Sequence, residues 1–372
     1  MRITFISPDY PRGDSNAFVF VEQLVNSISS KGFNCFVISP NGAFPWRFLS
    51  TPKLIFEERN GVQILRPRFM IVPLFLHIGN LYLYDWLRKR SVNKTLNSLD
   101  IIPDVIYCHF WPSANDSFDY SYKHNIPLFV ASGESSIKKL FRSGLNNKKL
   151  HSFVKGVICV SSKNKNESLA LGLATEEKCV VIPNAIDSSL FYVRSKTECR
   201  QKLGIPQDVF IIAFVGWFSE RKGSKRVSQA INQIDEDVYS FFIGSGSEEP
   251  DCKNILYKGT VSHDNIPIYL NAADVFVLPT LQEGCCNAIV EAMACGLPII
   301  SSDRDFNKDI LNTNNSILVD PTNIDEISRA ILNVKNNDLL RKEMSKASLE
   351  IVSSLTIKRR AESVLNFINL KM

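Results

Sequence analysis

The sequence predicts an α/β protein made of two Rossmann-like domains with parallel sheets that face a central cleft. Apolar runs alternate with helical stretches from the start: the run 3–7, a helix over 18–30 and the run 35–39 form a βαβ unit. The alternation pauses at 188–195, which we expect to be an interdomain linker, and restarts with the apolar run 210–215. With 372 residues, the chain is long enough for two such domains.

Composition and cysteine usage favour a cytoplasmic globular protein. The chain is 45% hydrophobic and 22% charged, which is typical of globular domains. We expect neither a signal peptide nor a transmembrane helix, because Met1 leads directly into a strand and no apolar run is long enough to span a bilayer. Nine cysteines without metal-type spacing indicate reduced thiols, and five dispersed histidines do not suggest a metal cluster.

Positive charge is concentrated in the first half of the chain. The formal charge is +7 over residues 1–190 and −2 over residues 191–372. A basic half suits an anionic surface or acceptor, although ordinary solvated lysines would give the same count. Residues 44–90 interleave aromatic side chains with basic ones, including the run 88–90. This pattern is compatible with a membrane interface and also with a core helix that has a polar face.

The stretch 279–298 has the most specific chemistry. A strand predicted at 274–278 runs into a loop and then into a short helix. Glu283 and Glu291 are eight residues apart, which is about 12 Å along a helix. That separation suits an extended sugar–diphosphate–ribose unit better than two acids acting on one bond. The helix N-terminus between them, with Gly284 for close backbone access, favours phosphate.

Two further positions suggest binding of the same ligand. Arg221 and Lys222 lie in the glycine-flanked loop after 210–215, where cations would neutralise a departing diphosphate; a salt-bridged turn is the alternative. His109 follows a strand predicted at 104–108, at the edge where open α/β sheets bind ligands. A structural histidine at a strand end is the alternative there.

Four further places in the sequence are candidates for additional contacts. Thr280 and the loop at Gly259 are placed to approach a base. Gly13 lies in the first loop, which is not a dinucleotide fingerprint but can supply backbone contacts to a ligand. Glu134 either lines an acceptor cleft or stands at a helix N-terminus.

Together these motifs resemble the retaining GT-B glycosyltransferases of the fourth family. The segment Glu283-Gly284, six further residues, then Glu291-Ala292-Met293-Ala294-Cys295-Gly296-Leu297-Pro298 resembles the family's E-x7-E signature. Three other segments also resemble parts of the family pattern. Val215-Gly216 with Lys222-Gly223 resembles its phosphate loop, and residues 181–187 resemble its P-N-G-[IV]-D segment. Residues 108–112 resemble its histidine segment. The matches follow the family's order across nearly the whole chain.

The resemblance implies a GT-B fold and a division of labour between its domains. Residues 1–190 would bind the acceptor and residues 191–355 the nucleotide sugar. Residues 356–372 would form a helix that returns to the first domain.

The resemblance also implies a role for each matching residue. The catalytic set would be His109 near the transferring sugar, Glu283 on its hydroxyls and Lys222 on the diphosphate, while Glu291 would hold the ribose. The implied donor-binding set is Gly13, Gly216, Arg221, Lys222, Thr280, Glu283, Gly284, Cys285, Cys286, Asn287 and Glu291.

The chain departs from the family pattern at three places. Trp217 stands where the family usually has arginine, so either Arg221 substitutes or the diphosphate is held with one cation fewer. Ala185 replaces the glycine of P-N-G, which implies a negative φ or a tolerated strain. The loop around Gly13 lacks the family's paired glycines.

The implied reaction moves a hexose or N-acetylhexosamine, with retention, from a UDP- or GDP-linked sugar. The implied acceptor is a saccharide, lipid-linked at the cytoplasmic face of the inner membrane, in bacterial cell-surface polysaccharide (lipopolysaccharide) biosynthesis. We expect no metal, no other cofactor and no nucleic-acid partner, and the sequence indicates no oligomeric state. A GT-B nucleotide-sugar epimerase and a non-catalytic nucleotide-sugar-binding protein are the alternatives.

Overall fold

The computed structural model describes residues 1–12, 18–78, 81–138 and 147–372, and these form two compact units. The first comprises Met1–Ile182 together with Lys358–Met372, and the second comprises Pro183–Ile357. The expected boundary at 190 differs from this division because the chain just after Ile182 bonds to the second unit. The Asn184 side chain donates to the carbonyl oxygen of Cys285 at 3.0 Å. The predicted linker at 188–195 therefore lies within the second unit.

The first unit is built on a sheet whose strands are mostly parallel. Its strands are β1 (Arg2–Ile6), β2 (Asn34–Ile38), β3 (Asn41–Ala43), β4 (Leu54–Arg59), β5 (Val62–Met70), β6 (His77–Ile78), β7 (Leu81–Tyr82), β8 (Val105–His109), β9 (Leu128–Ser132), β10 (Gly156–Cys159) and β11 (Cys179–Val181). The spatial order is β11-β10-β9-β8-β1-β2-β5-β3, with β4 antiparallel to β5, while β6 and β7 form a separate antiparallel pair.

Helices cover both faces of this sheet. They are α1 (Val19–Ser29), α2 (Pro45–Phe48), α3 (Leu83–Asn97), α4 (Trp111–Lys123), α5 (Lys148–Phe153), α6 (Ser162–Ala170) and, from the chain's end, α13 (Ile357–Lys371). On β1, Ile3 and Phe5 enter a core cluster shared with α1 and α13, whereas Ile6 enters one shared with α3 and α4. Successive strand residues point to opposite faces, so both faces need apolar side chains, which explains the apolar runs in the sequence.

The C-terminal helix α13 packs in the first unit, as the resemblance implied. The Phe367 ring contacts Phe129 edge-on, with 6.3 Å between ring centroids. Gly156 makes room for this contact, since a Cβ there would lie 2.5 Å from the Phe367 ring. Ile368, one residue further along the helix, is fully buried in the same core cluster.

The second unit contains a parallel sheet. Its strands are β12 (Ile211–Val215), β13 (Tyr239–Ile243), β14 (Ile255–Gly259), β15 (Val275–Leu278), β16 (Ile299–Ser302) and β17 (Ser316–Val319), in the spatial order β14-β13-β12-β15-β16-β17. Its helices are α7 (Lys196–Leu203), α8 (Ser224–Asn232), α9 (Ile266–Ala272), α10 (Asn287–Ala294), α11 (Ile324–Asn336) and α12 (Asp338–Val352).

Each sheet reverses its strand order at one point that matters for function. In the second unit the chain builds outward from β12 to β14 on one side and from β15 to β17 on the other, so the reversal lies between β12 and β15. In the first unit it lies between β1 and β8. Open α/β sheets bind ligands outside the carboxyl ends of their strands at such points. The loops that follow these four strands are therefore the place to look for a site.

Removing the Ile368 side chain tests how far the first unit depends on α13. We expect Ile368→Ala to lower the free energy of unfolding by about 3 kcal/mol, because the truncation removes buried methyl groups and leaves a cavity. Urea unfolding followed by tryptophan fluorescence measures this in a Trp217→Phe background, where the remaining tryptophans all lie in the first unit.

Leu370 on the same helix provides the control, since 78% of its surface is exposed. Leu370→Ala should change stability by no more than about 0.5 kcal/mol. Equal effects of the two substitutions would contradict the packing of α13.

Candidate active site

Two loops of the second unit interlock at the reversal point between β12 and β15. The backbone N–H of Leu281 donates to the carbonyl oxygen of Arg221 at 2.8 Å, and the Thr280 hydroxyl donates to the same oxygen at 3.2 Å. In return, the Arg221 guanidinium donates to the carbonyl oxygen of Gln282 at 2.7 Å. The loop after β12 and the loop after β15 therefore hold each other in place.

Glu283 is the charged centre of these loops. Lys222 Nζ lies 2.7 Å and Arg221 Nη1 lies 2.5 Å from Glu283 Oε1, which also accepts a hydrogen bond from the Thr280 hydroxyl at 3.0 Å. Both cations that the sequence assigned to a diphosphate thus contact a carboxylate. The salt-bridged turn, left open as an alternative, is present in this loop.

The two cations differ in how much solvent they meet. Only 13% of the Lys222 side chain is exposed, against 41% for Arg221. Burial alone would lower the pKa of Lys222, but the negative charge and the hydrogen bond of Glu283 help to raise it above the ordinary value. Lys222 is therefore a protonated, largely buried cation at neutral pH.

Helix α10 begins beside this cluster. Its first residue is Asn287, so Glu283 lies in the preceding loop, and the sequence-based picture of a helix running from Glu283 to Glu291 is wrong for the first four positions. The N-cap residue of α10, Cys286, makes no side-chain capping hydrogen bond. The N-terminus nevertheless lies between the two glutamates in the chain, as predicted, and the positive end of a helix favours an anion.

The residues between Glu283 and α10 are buried. Gly284, Cys285 and Cys286 form this short segment, and the Asn287 side chain accepts a hydrogen bond from Asn184 at 2.7 Å. Burial raises the pKa of the Cys286 thiol, whose Sγ lies 3.6 Å from Lys222 Nζ. A protonated buried thiol is a poor nucleophile, so the side chain of Cys286 is better suited to packing than to covalent chemistry.

Glu291 has a partner that the sequence reasoning missed. His263 Nε2 lies 3.2 Å from Glu291 Oε1, and both side chains are largely buried. His263 belongs to the loop after β14, which the sequence interpretation placed near a base without singling out this residue. The signal available was a histidine just past a strand end, the same signal that selected His109.

Glycines bring the strand-end loops close together. A Cβ on Gly244 would lie 1.9 Å from the carbonyl oxygen of Gly216, and its φ of 153° also favours glycine. Gly216 is more open, because a Cβ there would meet only the Lys222 side chain at 3.6 Å. The next residue, Trp217, has 61% of its surface exposed. The chain thus presents an aromatic surface where the family usually has a cation.

Ala185 and Gly13 were the other departures from the family pattern. Ala185 is not among the residues with positive φ, which agrees with the first of the two options that the sequence left open. Gly13 lies outside the described residues.

His109 is the last residue of β8, at the reversal point of the first sheet. The sequence had placed it just past the strand. It is 3% exposed, its ring contacts Tyr107 and Phe20 edge-on, and its Nδ1 has no hydrogen-bond partner among the described residues. Phe110 follows with a φ of 71°, a strained conformation for a residue with a side chain.

Burial, with the positive charge of Arg360 in second place, lowers the pKa of His109 from 6.5 to about 3. The imidazole is therefore neutral at physiological pH. It can exchange hydrogen bonds with a ligand but holds no extra proton to donate.

Of the two roles considered for Glu134, the structure supports the one at a helix N-terminus. Its carboxylate accepts a hydrogen bond at 2.8 Å from the backbone N–H of Trp111, the first residue of α4, and another at 2.8 Å from the Ser132 hydroxyl. Burial raises its pKa. Glu134 thus stands at a helix N-terminus, although the helix is α4 and not one that follows it directly in sequence. Within the described ranges, no cluster of His, Cys, Asp and Glu could hold a metal ion.

The basic run 88–90 does not form a free cationic surface. Arg88 is bonded to Asp116 at 2.6 Å and lies near Asp85, Lys89 pairs with Asp119 at 3.0 Å, and Arg90 lies over the ring of Trp86. Exposed apolar side chains lie earlier in the region instead: Phe44, Trp46, Leu49, Leu54, Phe56, Leu74, Phe75, Leu76 and Ile78. No helix in the described part of the chain has both the length and the apolar character needed to cross a membrane.

The low pKa of His109 predicts how stability responds to acid. The unfolded chain takes up a proton at about pH 6.5 and the folded protein only near 3, so stability falls by about 1.4 kcal/mol for each pH unit between these values. His109→Gln and His109→Phe should both flatten the dependence of stability on pH in this window, whatever their absolute stabilities. Denaturant unfolding at a series of pH values measures the slopes. Unchanged slopes in both variants would contradict the buried, neutral state.

Two family models match adjoining parts of the chain. One, described as Glycosyltransferase Family 4, matches residues 17–190, and the other, described as Glycosyl transferases group 1, matches residues 195–350. Together they span most of both units, and their order is that of the motifs that the resemblance rested on.

Named relatives and a solved structure agree with the family models. A Bacillus subtilis protein named as a teichuronic acid biosynthesis glycosyltransferase, TuaC, is 26% identical over 95% of this chain and 94% of its own length. The Escherichia coli UDP-Gal:alpha-D-GlcNAc-diphosphoundecaprenol alpha-1,3-galactosyltransferase is 27% identical over 56% of this chain and 58% of its own.

The structure of Anabaena HepE in complex with UDP and glucose superposes with a TM-score of 0.75 at 17% identity, covering all of both chains. At this identity the likeness concerns the fold, which is the GT-B fold. The chain therefore belongs to the glycosyltransferases described by the group 1 and Family 4 models.

Proposed function

We propose that this glycosyltransferase transfers a hexose or N-acetylhexosamine, with retention, from a UDP- or GDP-linked sugar to a lipid-linked saccharide in bacterial cell-surface polysaccharide biosynthesis. The single observation that carries the proposal is the charge cluster at the reversal point of the second sheet. There Glu283 and Lys222 lie beside the N-terminus of α10, and Glu291 lies further along the same helix.

Each part of this cluster suits one part of a nucleotide sugar. Lys222 and the N–H groups of α10 favour the diphosphate, because both present positive charge. Glu291, in the second turn of α10, suits the hydroxyls of a ribose. Glu283, in the loop before α10, suits the hydroxyls of the donor sugar, since a carboxylate offers several acceptor sites. HepE, whose structure contains UDP and glucose, shares the fold on which this placement depends.

The proposed reaction needs no acid and base on opposite sides of one bond. The bond from the sugar's anomeric carbon to the phosphate oxygen breaks while the acceptor oxygen bonds to the same face of that carbon. The acceptor's proton passes to the departing phosphate oxygen. Lys222 and the α10 N-terminus stabilise the negative charge on that leaving group, and the site orients both reactants. We propose that these groups serve where other enzymes use a metal ion.

His109 and Arg221 take supporting roles in this proposal. His109, buried and neutral, offers hydrogen bonds to the transferring sugar without supplying a proton. Arg221 bonds both to Glu283 and to the carbonyl oxygen of Gln282, so it positions the carboxylate. Lys222 then binds the diphosphate with one cation fewer than is usual in the family, in keeping with Trp217.

Transfer and hydrolysis assays with a panel of UDP- and GDP-sugars test the donor site. Glu283→Ala and Lys222→Met should each lower turnover about 100-fold or more, because each removes a group that acts at the developing charge or holds the reacting sugar. The product should keep the donor's anomeric configuration by NMR, and a chelator should leave the rate unchanged.

Glu350→Ala provides the control for this panel, since Glu350 lies on α12 and 67% of its side chain is exposed. Activity that survives Glu283→Ala would count against the assignment. Binding of a nucleotide sugar without any turnover would favour the non-catalytic alternative, and interconversion of sugar epimers would favour an epimerase.

A lipid-linked acceptor fits an exposed apolar surface in the first unit. Arg68 holds the C-terminal end of α2 in place. Its guanidinium donates hydrogen bonds to the carbonyl oxygens of Phe48 and Thr51 and lies 3.9 Å from the centroid of the Phe48 ring. Trp46 stacks on Phe44 with 4.8 Å between ring centroids, and its exposed fraction is 75%.

Other residues extend this surface with both apolar and positive character. Leu49 is 92% exposed just after α2, and the cations Arg47 and Lys53 are exposed nearby. Aromatic and basic residues together are typical of interfacial membrane contacts. The E. coli relative is named for a diphosphoundecaprenol-linked acceptor. An acceptor of that kind resides in a membrane, so an exposed apolar and basic surface would bring the enzyme to it.

Vesicle flotation tests this surface. The double variant Trp46→Ser/Leu49→Ser should lose most of its binding to vesicles that contain phosphatidylglycerol, because it removes the most exposed apolar side chains around α2. Leu339→Ser, at a position 72% exposed in the second unit, is the matched control and should bind as the wild type does. Equal binding by the double variant would contradict a membrane role for α2.

A further inference from the structure

A histidine of the second unit contacts the carboxylate that the proposed function assigns to the ribose. His263 begins the 3₁₀ turn His263–Asn265 after β14, and its Nε2 lies 3.2 Å from Oε1 of Glu291. Only 18% and 14% of the two side chains are exposed. The ring also meets Phe191 edge-on, with 5.2 Å between ring centroids. The imidazole is therefore held between an aromatic ring and the carboxylate.

The charged groups around His263 favour its protonated form. Burial alone would lower its pKa, but Glu291 on α10, Asp264 in the same turn and Asp187 in the segment before α7 together raise the pKa above 6.5. In the protonated ring both nitrogens are donors, so the bond to Glu291 is charge-assisted and stronger than a neutral one.

We propose that His263 is a positioning residue for nucleotide binding: it fixes one oxygen of Glu291 and so aims the carboxylate's remaining acceptor sites at the two hydroxyls of the ribose. This inference rests on the proposed function, in which Glu291 binds the ribose. A carboxylate has about four acceptor sites, so one bond from His263 leaves enough for a pair of neighbouring hydroxyls. A side chain that is already fixed also loses less freedom when the nucleotide binds.

The role of His263 can be isolated by removing the ribose hydroxyls from the ligand. Calorimetry with UDP and with GDP first establishes which nucleotide the wild-type protein binds. His263→Ala should weaken binding of that nucleotide by up to about tenfold, because the Glu291 side chain is then no longer fixed in advance and loses its freedom on binding. The 2′,3′-dideoxy form of the same nucleotide should bind wild type and variant equally.

Asn265→Ala is the matched control. Its side-chain amide bonds the Ser262 hydroxyl in the same turn at 3.0 Å, and the variant should keep wild-type affinity for both forms of the nucleotide.

The pH dependence of nucleotide affinity provides a further test, because a purely structural role of His263 would not change it. As the pH is raised above 6.5, wild-type affinity should fall when His263 loses its proton, because the charge-assisted bond to Glu291 weakens. His263→Gln keeps a neutral donor at this position, so its affinity should show a flatter pH dependence. An equally steep dependence in the variant would overturn the proposal.

The outcomes also separate this inference from the proposed function. An equal loss of affinity for the hydroxylated and the dideoxy nucleotide in His263→Ala would overturn the positioning role. The comparison is the difference in affinity between the hydroxylated and the dideoxy nucleotide. If Glu291→Ala abolishes this difference while His263→Ala preserves it, only the inference about His263 fails. If Glu291→Ala also preserves it, the assignment of Glu291 to the ribose fails too.

Discussion

The ion pair between Lys222 and Glu283 is the interaction on which the candidate site depends. It joins the loop after β12 to the loop after β15, at the point where the strand order of the second sheet reverses. Both side chains are mostly buried, and a buried charge without its partner costs about 3–5 kcal/mol. The lysine therefore stays protonated and the carboxylate stays beside it, so the positive charge needed for a diphosphate is fixed before any ligand arrives.

The two glutamates of the signature are held by different neighbours, which gives them different tasks. Glu283 is surrounded by cations and the Thr280 hydroxyl, whereas Glu291 meets His263 and lies within α10. The start of α10 lies between them in the chain. A nucleotide sugar has the same sequence of groups, namely sugar hydroxyls, phosphates and ribose hydroxyls. In the proposed function these groups bind the parts of the nucleotide sugar in that order, and neither glutamate acts as an acid or a base.

Local patterns predicted the architecture, but contacts between distant residues were beyond them. Alternating apolar runs predicted most strands of both sheets, but not β3, β4 and β5 of the first sheet. The place of α13 came only from the family resemblance, because an amphipathic helix does not indicate which sheet it covers. Asn60-Gly61, where both residues have positive φ, is a hairpin turn signal between β4 and β5 that was overlooked. Arg221 was assigned to phosphate because its partner Glu283 is 62 positions away in the sequence. A membrane role for the run 88–90 stayed open because Asp116, the partner of Arg88, is 28 positions away. Spacing reveals charges, but only the fold reveals which of them are already paired.

The most direct test of the account is a crystal structure of the protein with a bound UDP- or GDP-sugar. The account predicts the diphosphate within hydrogen-bonding distance of Lys222 Nζ and of the first N–H groups of α10, with the ribose hydroxyls on Glu291 and the sugar hydroxyls on Glu283. A diphosphate bound away from Lys222 and α10, with the glutamates contacting neither sugar nor ribose, would contradict it.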